Sequence, residues 1–274
     1  MAYKQVSIIT KRWRDRKPPL GSQINWGHPL SKGLVGCWLM NEGGGNVVSD
    51  IARKNNGTLP SSGITWGYKK SGIVLNFTAT NNINLGTPTI LAPTTPFSVT
   101  AWVSRSGNIV GNDGIISSKT DTSGNLGWLL YANSTANKAR FLAAGVVAES
   151  NSAIPLNTLT HLVGVWNGTK VLLYVNGVLQ TTQGSGTSQP YYSGVSARIG
   201  QYSVFEKWAG YISSISFYNR ALSPSEIQSL YVEPYQMIQP IRRRVFVSIP
   251  AITSLPVGSI RGVKSIRGIS RVRI

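Results

Sequence analysis

At 274 residues, with eight tryptophans, 29 glycines and 14 prolines but only 13% charged side chains, the chain is long enough to bury a sizeable core and has the composition of many short strands joined by turns. The single cysteine, Cys37, excludes an internal disulfide and a cysteine-rich zinc site, and no run approaches the ~18 apolar residues of a membrane-spanning helix. The net charge of +18 is unevenly placed: residues 1–17 carry a net five and residues 241–274 carry eight with no acid, so the ends hold thirteen of the eighteen charges.

Residues 1–30 read as a basic arm. Lys17-Pro18-Pro19 favours extended backbone, and Trp13 and Trp26 are apolar anchors in polar surroundings. The apolar run Ser7–Thr10 is too short for the core of an export signal. Gly33–Met40 predicts the first strand of the body, and Asn41-Glu42-Gly43-Gly44-Gly45 a flexible loop. A short extended piece at Val47–Asp50, a turn at Asn55–Leu59 and strands at Ile73–Phe77 and Asn82–Leu85 follow. Phe97, Val99, Ala101 and Val103 alternate along one face of the next strand. Gly114–Ser118, Gly127–Tyr131 and Lys138–Ala143 then come at the spacing of a sandwich or barrel.

The centre of the chain is residues 160–180. Asn167-Gly168 and Asn176-Gly177 are strong hairpin signals, because both residues of such a turn need positive φ. His161–Trp166, Lys170–Val175 and Val178–Thr182 therefore predict three consecutive antiparallel strands. Leu162, Gly164 and Trp166 face one way, Val163 and Val165 the other; with both faces apolar, this meander belongs in the middle of the molecule. Ala197–Gly200 and Tyr211–Tyr218 complete the strands. Ser223-Pro224-Ser225-Glu226 is a capping box with proline at the first helical position, and Ile227, Leu230 and Tyr231 make the apolar face of one short helix.

After Pro240 the pattern changes. Ile260, Val263, Ile266, Ile269 and Val272 recur every third position, with Arg261, Lys264, Arg267, Arg271 and Arg273 among them. Period three belongs to neither helix nor strand, so the tail predicts an extended segment lying along a partner, its cations on acidic or phosphate groups. The chain thus divides into an arm at 1–30, a body at 31–235 and an arm at 236–274. The expected partner-binding residues are Lys11, Arg12, Arg14 and Arg16 in the first arm, and Arg242, Arg243, Arg244 and the tail residues just named in the second.

The body resembles the laminin-G-like, concanavalin A-like lectin superfamily. Three pieces carry the resemblance: the opening GLVGCWLMNEGGGNVVSDIARKNNGTL, the meander HLVGVWNGTKVLLYVNG, and the closing ARIGQYSVFEKWAGYISSISFYNRALSPSEIQSLY. It implies an all-β fold, a two-sheet antiparallel jelly-roll sandwich with one short C-terminal helix, here extended by basic arms. It also implies calcium, for which Asp50 matches the acidic position after the opening strand; the family's second acid would fall at Ser213 or Ser214, and neither is acidic. The flanks KPPLGSQINWGHPLSKGLV and PYQMIQPIRRRVFVSIPA are similar to flanks in virion proteins of tailed bacteriophages.

Catalytic chemistry finds little support in the residues. Glycosidases use two carboxyl groups about 5–9.5 Å apart, yet no two acids lie within four residues of each other. Of the two histidines, His28 and His161, the second falls in a core strand as a structural residue. No catalytic residue is assigned. Tyr191-Tyr192, between polar and turn residues, is the best candidate platform for a glycan. The expectation is a non-enzymatic structural protein of a phage particle (capsid decoration, head fibre or tail component), assembled in the host cytoplasm. It would join other virion proteins through its arms, with self-association and non-specific contact with packaged DNA open and no membrane. The alternative is a carbohydrate-binding lectin domain contacting host glycans, and the third reading a polysaccharide-degrading enzyme.

Overall fold

The computed structural model of the chain describes residues 16–52, 55–119, 127–188, 194–202 and 206–239. In chain order the first strands are β1 (Gln23–Ile24), β2 (Leu34–Trp38), β3 (Val47–Val48), β4 (Gly57–Thr58), β5 (Ile64–Lys69), β6 (Gly72–Thr78) and β7 (Ile83–Asn84). The long central strands are β8 (Phe97–Arg105), β9 (Asn112–Lys119), β10 (Gly127–Asn133), β11 (Lys138–Ala143), β12 (Val146–Ala153), β13 (Thr160–Trp166) and β14 (Lys170–Val175). Then come β15 (Val178–Leu179), β16 (Gly184–Ser185), β17 (Arg198–Ile199), β18 (Ala209–Tyr218), the helix α1 (Pro224–Val232) and β19 (Ile238–Gln239).

Among the described residues these strands form two large antiparallel sheets. One has eight strands in the order β12-β11-β10-β9-β17-β7-β4-β3; the other has nine, β15-β14-β13-β8-β18-β6-β5, with β16 beside β14 and β2 beside β18. This is the expected jelly-roll sandwich. Its core lies between the sheets, where Phe97, Trp128, Phe141, Trp166 and Phe217 gather. The Phe97 ring packs within 5.4–6.2 Å of the other four. Gly164 is required here, because a side chain on it would strike the Phe141 ring at 2.3 Å.

The first two strands of the meander are covered on both faces, as their apolar residues predict, but its third, β15, is an edge strand of the nine-stranded sheet, with Val178 and Leu179 exposed. Leu162 and Trp166 join the core between the sheets, while Val163 and Val165 join a second cluster on the outer face of the nine-stranded sheet. That second cluster is roofed by α1 through Ile227 and Leu230. The capping box is formed: Ser223 Oγ accepts from Glu226 N, and Glu226 Oε2 accepts from Ser223 N. The two Asn-Gly turns differ. Asn176 and Gly177 both take positive φ, at 50° and 81°. At the other turn only Gly168 does; Asn167 instead folds its side chain back, and Oδ1 accepts from Thr169 N and Lys170 N at 3.1 and 2.8 Å.

The boundaries of the body lie farther out than residues 31 and 235. The described part of the first arm, residues 16–30, is packed onto the body. Lys17 is only 8% exposed, and its Nζ donates to Met40 O and Ile73 O. Strands β1 and β19 pair with each other, and Ile24, Leu30, Met237 and Ile238 enter the second cluster. The physical reason is the apolar area on these four side chains, which a solvated arm would waste. Two edge strands, β5 and β12, were not predicted: ITWGYK and VVAESNSA carry too many polar residues and glycines to read as strands.

Candidate functional site: the outer face of the eight-stranded sheet

Strands β9 to β12 pair side by side with two register shifts, and their register aligns one set of side chains on the face away from the core. Tyr131 lies opposite Gly114 and Arg140, Leu129 opposite Ser117 and Leu142, and Asn133 opposite Asn112 and Lys138. On β12, Val147 and Glu149 continue the rows of Leu142 and Arg140. Asn112, Leu129, Tyr131, Asn133, Arg140, Leu142 and Val147 of these, with Lys119 at the end of β9 and Tyr202 from the segment after β17, line a cavity of about 360 Å³. Leu129, Tyr131 and Leu142 form its floor, with Val147 and Tyr202 packed against them.

The polar groups above this floor are held in place by one another. At one end Asn133 Nδ2 donates to Asn112 Oδ1 at 2.8 Å, and Asn112 Nδ2 donates to Glu206 Oε1 at 2.9 Å. At the other, Lys119 Nζ donates to Tyr202 OH at 2.9 Å and lies 4.9 Å from the centre of its ring. Along the side, Glu149 accepts from Lys138 Nζ at 3.0 Å and from Arg140 Nε at 2.6 Å, and Arg140 also pairs with it through Nη2. Burial would raise the Glu149 carboxyl, but these hydrogen bonds hold it below the ordinary value, so it stays charged. Burial raises the Tyr131 phenol against the hydrogen bond it shares with Arg140. The result is a rigid floor of apolar and aromatic surface, rimmed by two amides, a lysine and a guanidinium.

Asp113 sits beside this rim on the other side of the sheet. It pairs with Ala132, which faces the core. Burial pushes its carboxyl up to about 6 against the hydrogen bond from Gly111 N, and the neighbouring Glu206 pushes the same way. His161 is away from the cavity, under α1 in the nine-stranded sheet, stacked 4.8 Å from Trp102. Burial lowers its imidazole to about 3, so it is neutral and structural, as expected of a core strand.

The predicted site residues are placed as follows. Tyr191, Tyr192, Lys11, Arg12, Arg14, Arg242, Arg243, Arg244 and the tail from Ile260 to Arg273 lie outside the described residues. Arg16 is exposed and borders a pocket beside the nine-stranded sheet. Asp50 is buried, and its carboxylate accepts from Cys37 N, Ala52 N, Asn55 N and Asn55 Nδ2 at 2.7–3.1 Å. Four N–H donors converge on the oxygens that a calcium ion would need, and the Ser213 and Ser214 hydroxyls meet Tyr235 instead. The residues present do not fit a calcium site at Asp50; its carboxylate holds the turn. Among the described residues no group of three or more His, Cys, Asp or Glu side chains could hold a metal ion. The cavity residues were missed from sequence. The available signal was Leu129, Tyr131 and Asn133, an alternation that puts a tyrosine and an amide on a face a buried strand would leave apolar.

Comparisons with known proteins agree on the architecture. Residues 77–228 match the family described as the concanavalin A-like lectin/glucanases superfamily. Trypanosoma rangeli sialidase in complex with sialic acid superposes with a TM-score of 0.58 at 18% identity, over 75% of this chain and 33% of the sialidase. Domain 4 of AbnA, a GH43 extracellular arabinanase from Geobacillus stearothermophilus, in complex with arabinotriose, gives 0.57 at 18%, over 72% of this chain and 98% of that domain. The binding domain of Paraclostridial Mosquitocidal Protein 1 gives 0.58 at 14%, over 74% and 53%. Identities this low speak for fold alone, and the chain spans about a third of the sialidase. No curated protein matches the sequence.

Proposed function

The chain belongs to the concanavalin A-like lectin/glucanase superfamily, and from that premise we propose that it is a non-enzymatic binding protein of a phage particle. In this reading the jelly roll is displayed, the cavity on its eight-stranded sheet contacts a glycan, and the basic ends join it to neighbouring virion proteins. The observation that carries the binding role is the cavity itself. A sugar offers an apolar face of C–H groups and a rim of hydroxyls; Tyr202, Leu142 and Val147 suit the first, and Asn112, Asn133, Lys119 and Arg140 the second. The complexes of AbnA domain 4 with arabinotriose and of the sialidase with sialic acid fit a carbohydrate ligand. What supports the particle role is the thirteen charges at the two ends and the similarity of the flanks to those of virion proteins.

The non-catalytic reading rests on the acids. Glu149, the carboxylate alongside the cavity, is committed to Lys138 and Arg140, which leaves it a poor base or nucleophile. The one observation favouring hydrolysis is Asp113, raised to about 6 beside Glu206, a pairing that general acid–base catalysis uses. Its side chain faces the core, away from the cavity. A glycan array probed with the full chain tests the reading: binding of one glycan class, lost on Arg140→Ser, is the expected result, and no binding to any glycan would refute the cavity's role. A depolymerase assay that detects turnover abolished by Asp113→Asn would replace it with the enzyme. Electron microscopy of purified particles containing the chain tests the location.

A further inference from the structure

A second pocket, of about 310 Å³, lies on the opposite sheet. The hairpin turn between β5 and β6, the outer faces of β8 and β18, and the segment after α1 enclose it. Trp102, Leu159, Tyr211, Pro234 and Tyr235 make its walls, which are mostly apolar. Three cations border it, Arg16, Lys69 and Lys70, all exposed. Lys69 Nζ stands 5.6 Å from the centre of the Tyr211 ring. None of the lining residues is acidic, and among the described residues none of the three cations is in an ion pair. Ser71 also lines the pocket, and among the described residues its buried hydroxyl has no hydrogen-bond partner.

We propose that this pocket docks an acidic segment of a partner protein, with one apolar side chain of the segment inside and its flanking carboxylates on Arg16, Lys69 and Lys70. Each part of the site asks for one part of that ligand. The walls reward apolar surface. Three exposed cations at the mouth reward charge-assisted hydrogen bonds from carboxylates. The chain has 27 basic against nine acidic residues, which favours a complementary charge from outside it. A nucleic acid suits the rim but not the interior: a base brings several donors and acceptors on its edges, and the walls would leave most of them dry and unpaired. The proposal is independent of the glycan reading, since the two cavities lie on different sheets.

The full chain is titrated, by fluorescence anisotropy, with a labelled peptide of one phenylalanine flanked on each side by three glutamates, at physiological salt. The expected result is saturable binding that weakens about tenfold or more in three cases: in the double variant Lys69→Ser, Lys70→Ser; in Leu159→Trp, which fills the pocket without altering a charge; and when serine replaces the phenylalanine of the peptide. Failure to bind the peptide, binding that survives the Leu159 and phenylalanine changes, or binding unchanged in the lysine variant would overturn the proposal. Tighter capture of oligothymidylate, weakened by the same variants, would overturn it in favour of nucleic acid. Near-UV circular dichroism checks each variant's fold. Lys69 and Lys70 are exposed at the end of β5 and on the turn after it, so their variant and the serine peptide decide the matter even if the Leu159 variant does not fold.

Discussion

The two sheets turn very different outer faces to their surroundings. The nine-stranded sheet is roofed: α1, β1 and β19 cover it, and Val163, Val165, Tyr174 and Tyr218 are buried beneath Ile227, Leu230 and Met237. The eight-stranded sheet carries on its outer face the small cluster of Leu129, Tyr131 and Leu142, bordered by amides and charged groups rather than by a helix. Both sheets bury their inner faces in the same core, so the difference is set outside it. The part of a face that gains a roof becomes structure. The part left without one keeps polar or charged side chains, and these are what a ligand can read.

The sharpest way to break this comparison is to attack what both faces share. Trp166→Ala empties a nearly buried site in the core between the sheets and removes the hydrogen bond from Nε1 to Gly186 O. It should cost about 3–5 kcal/mol in denaturant unfolding and weaken both faces together. Ile227→Ala attacks the roof alone. It should cost about 2–4 kcal/mol, while glycan binding by whatever molecules remain folded stays at the parental level. A loss of binding without a loss of stability would break the separation of the faces.

Acidity sharpens the comparison further. Asp113, near the start of β9 in the eight-stranded sheet, is raised to about 6 chiefly by burial, so the folded state holds its proton from about pH 4 to 6 where the unfolded chain has released it. The contribution of this group to stability therefore falls as the pH rises through 6. Glu226, at the start of the roof helix, is lowered, first by its hydrogen bond with Arg220. Its contribution is present above the ordinary carboxylate range and is lost as the pH falls below it. Asp113→Asn should be more stable than the parent at pH 8, by on the order of 1 kcal/mol after solvent screening, and should lose that advantage as the pH falls to about 4. Thermal melts at the two pH values check the sign. The smallest effect on stability is expected from Arg140→Ser on the open face, about 0–1 kcal/mol, measured in the same melts; that same variant should abolish glycan binding.

The fold was legible wherever the signal is local. The capping box of α1 is spelled in four consecutive residues, and Asn176-Gly177 takes the positive φ values its residue types announce. Lys138–Ala143 was readable to the residue. Edge strands were not, because a strand paired on one side tolerates the glutamate, asparagine and serines of β12. The cavity was illegible for a different reason. Its residues come from four strands and a connecting segment, and partners such as Asn112 and Glu206 stand 94 positions apart, so no spacing rule could join them. The pocket proposed for an acidic partner borrows Lys69 and Lys70 from β5 and the turn after it, in the stretch whose edge strand the sequence concealed.

The pairing of β1 with β19 sets Gln23 directly opposite Gln239, antiparallel. The backbone thus enters and leaves this part of the molecule one strand spacing apart, about 4.8 Å. A module whose ends meet in this way behaves as an insert. It could be spliced into a surface loop of an unrelated host protein, or swapped for another domain with adjoining ends, without stretching the chain on either side. A load that pulls these two strands apart falls on two rungs of one ladder, loaded from the same end and opened one at a time. The pair is the molecule's clasp, and its geometry is that of a zip.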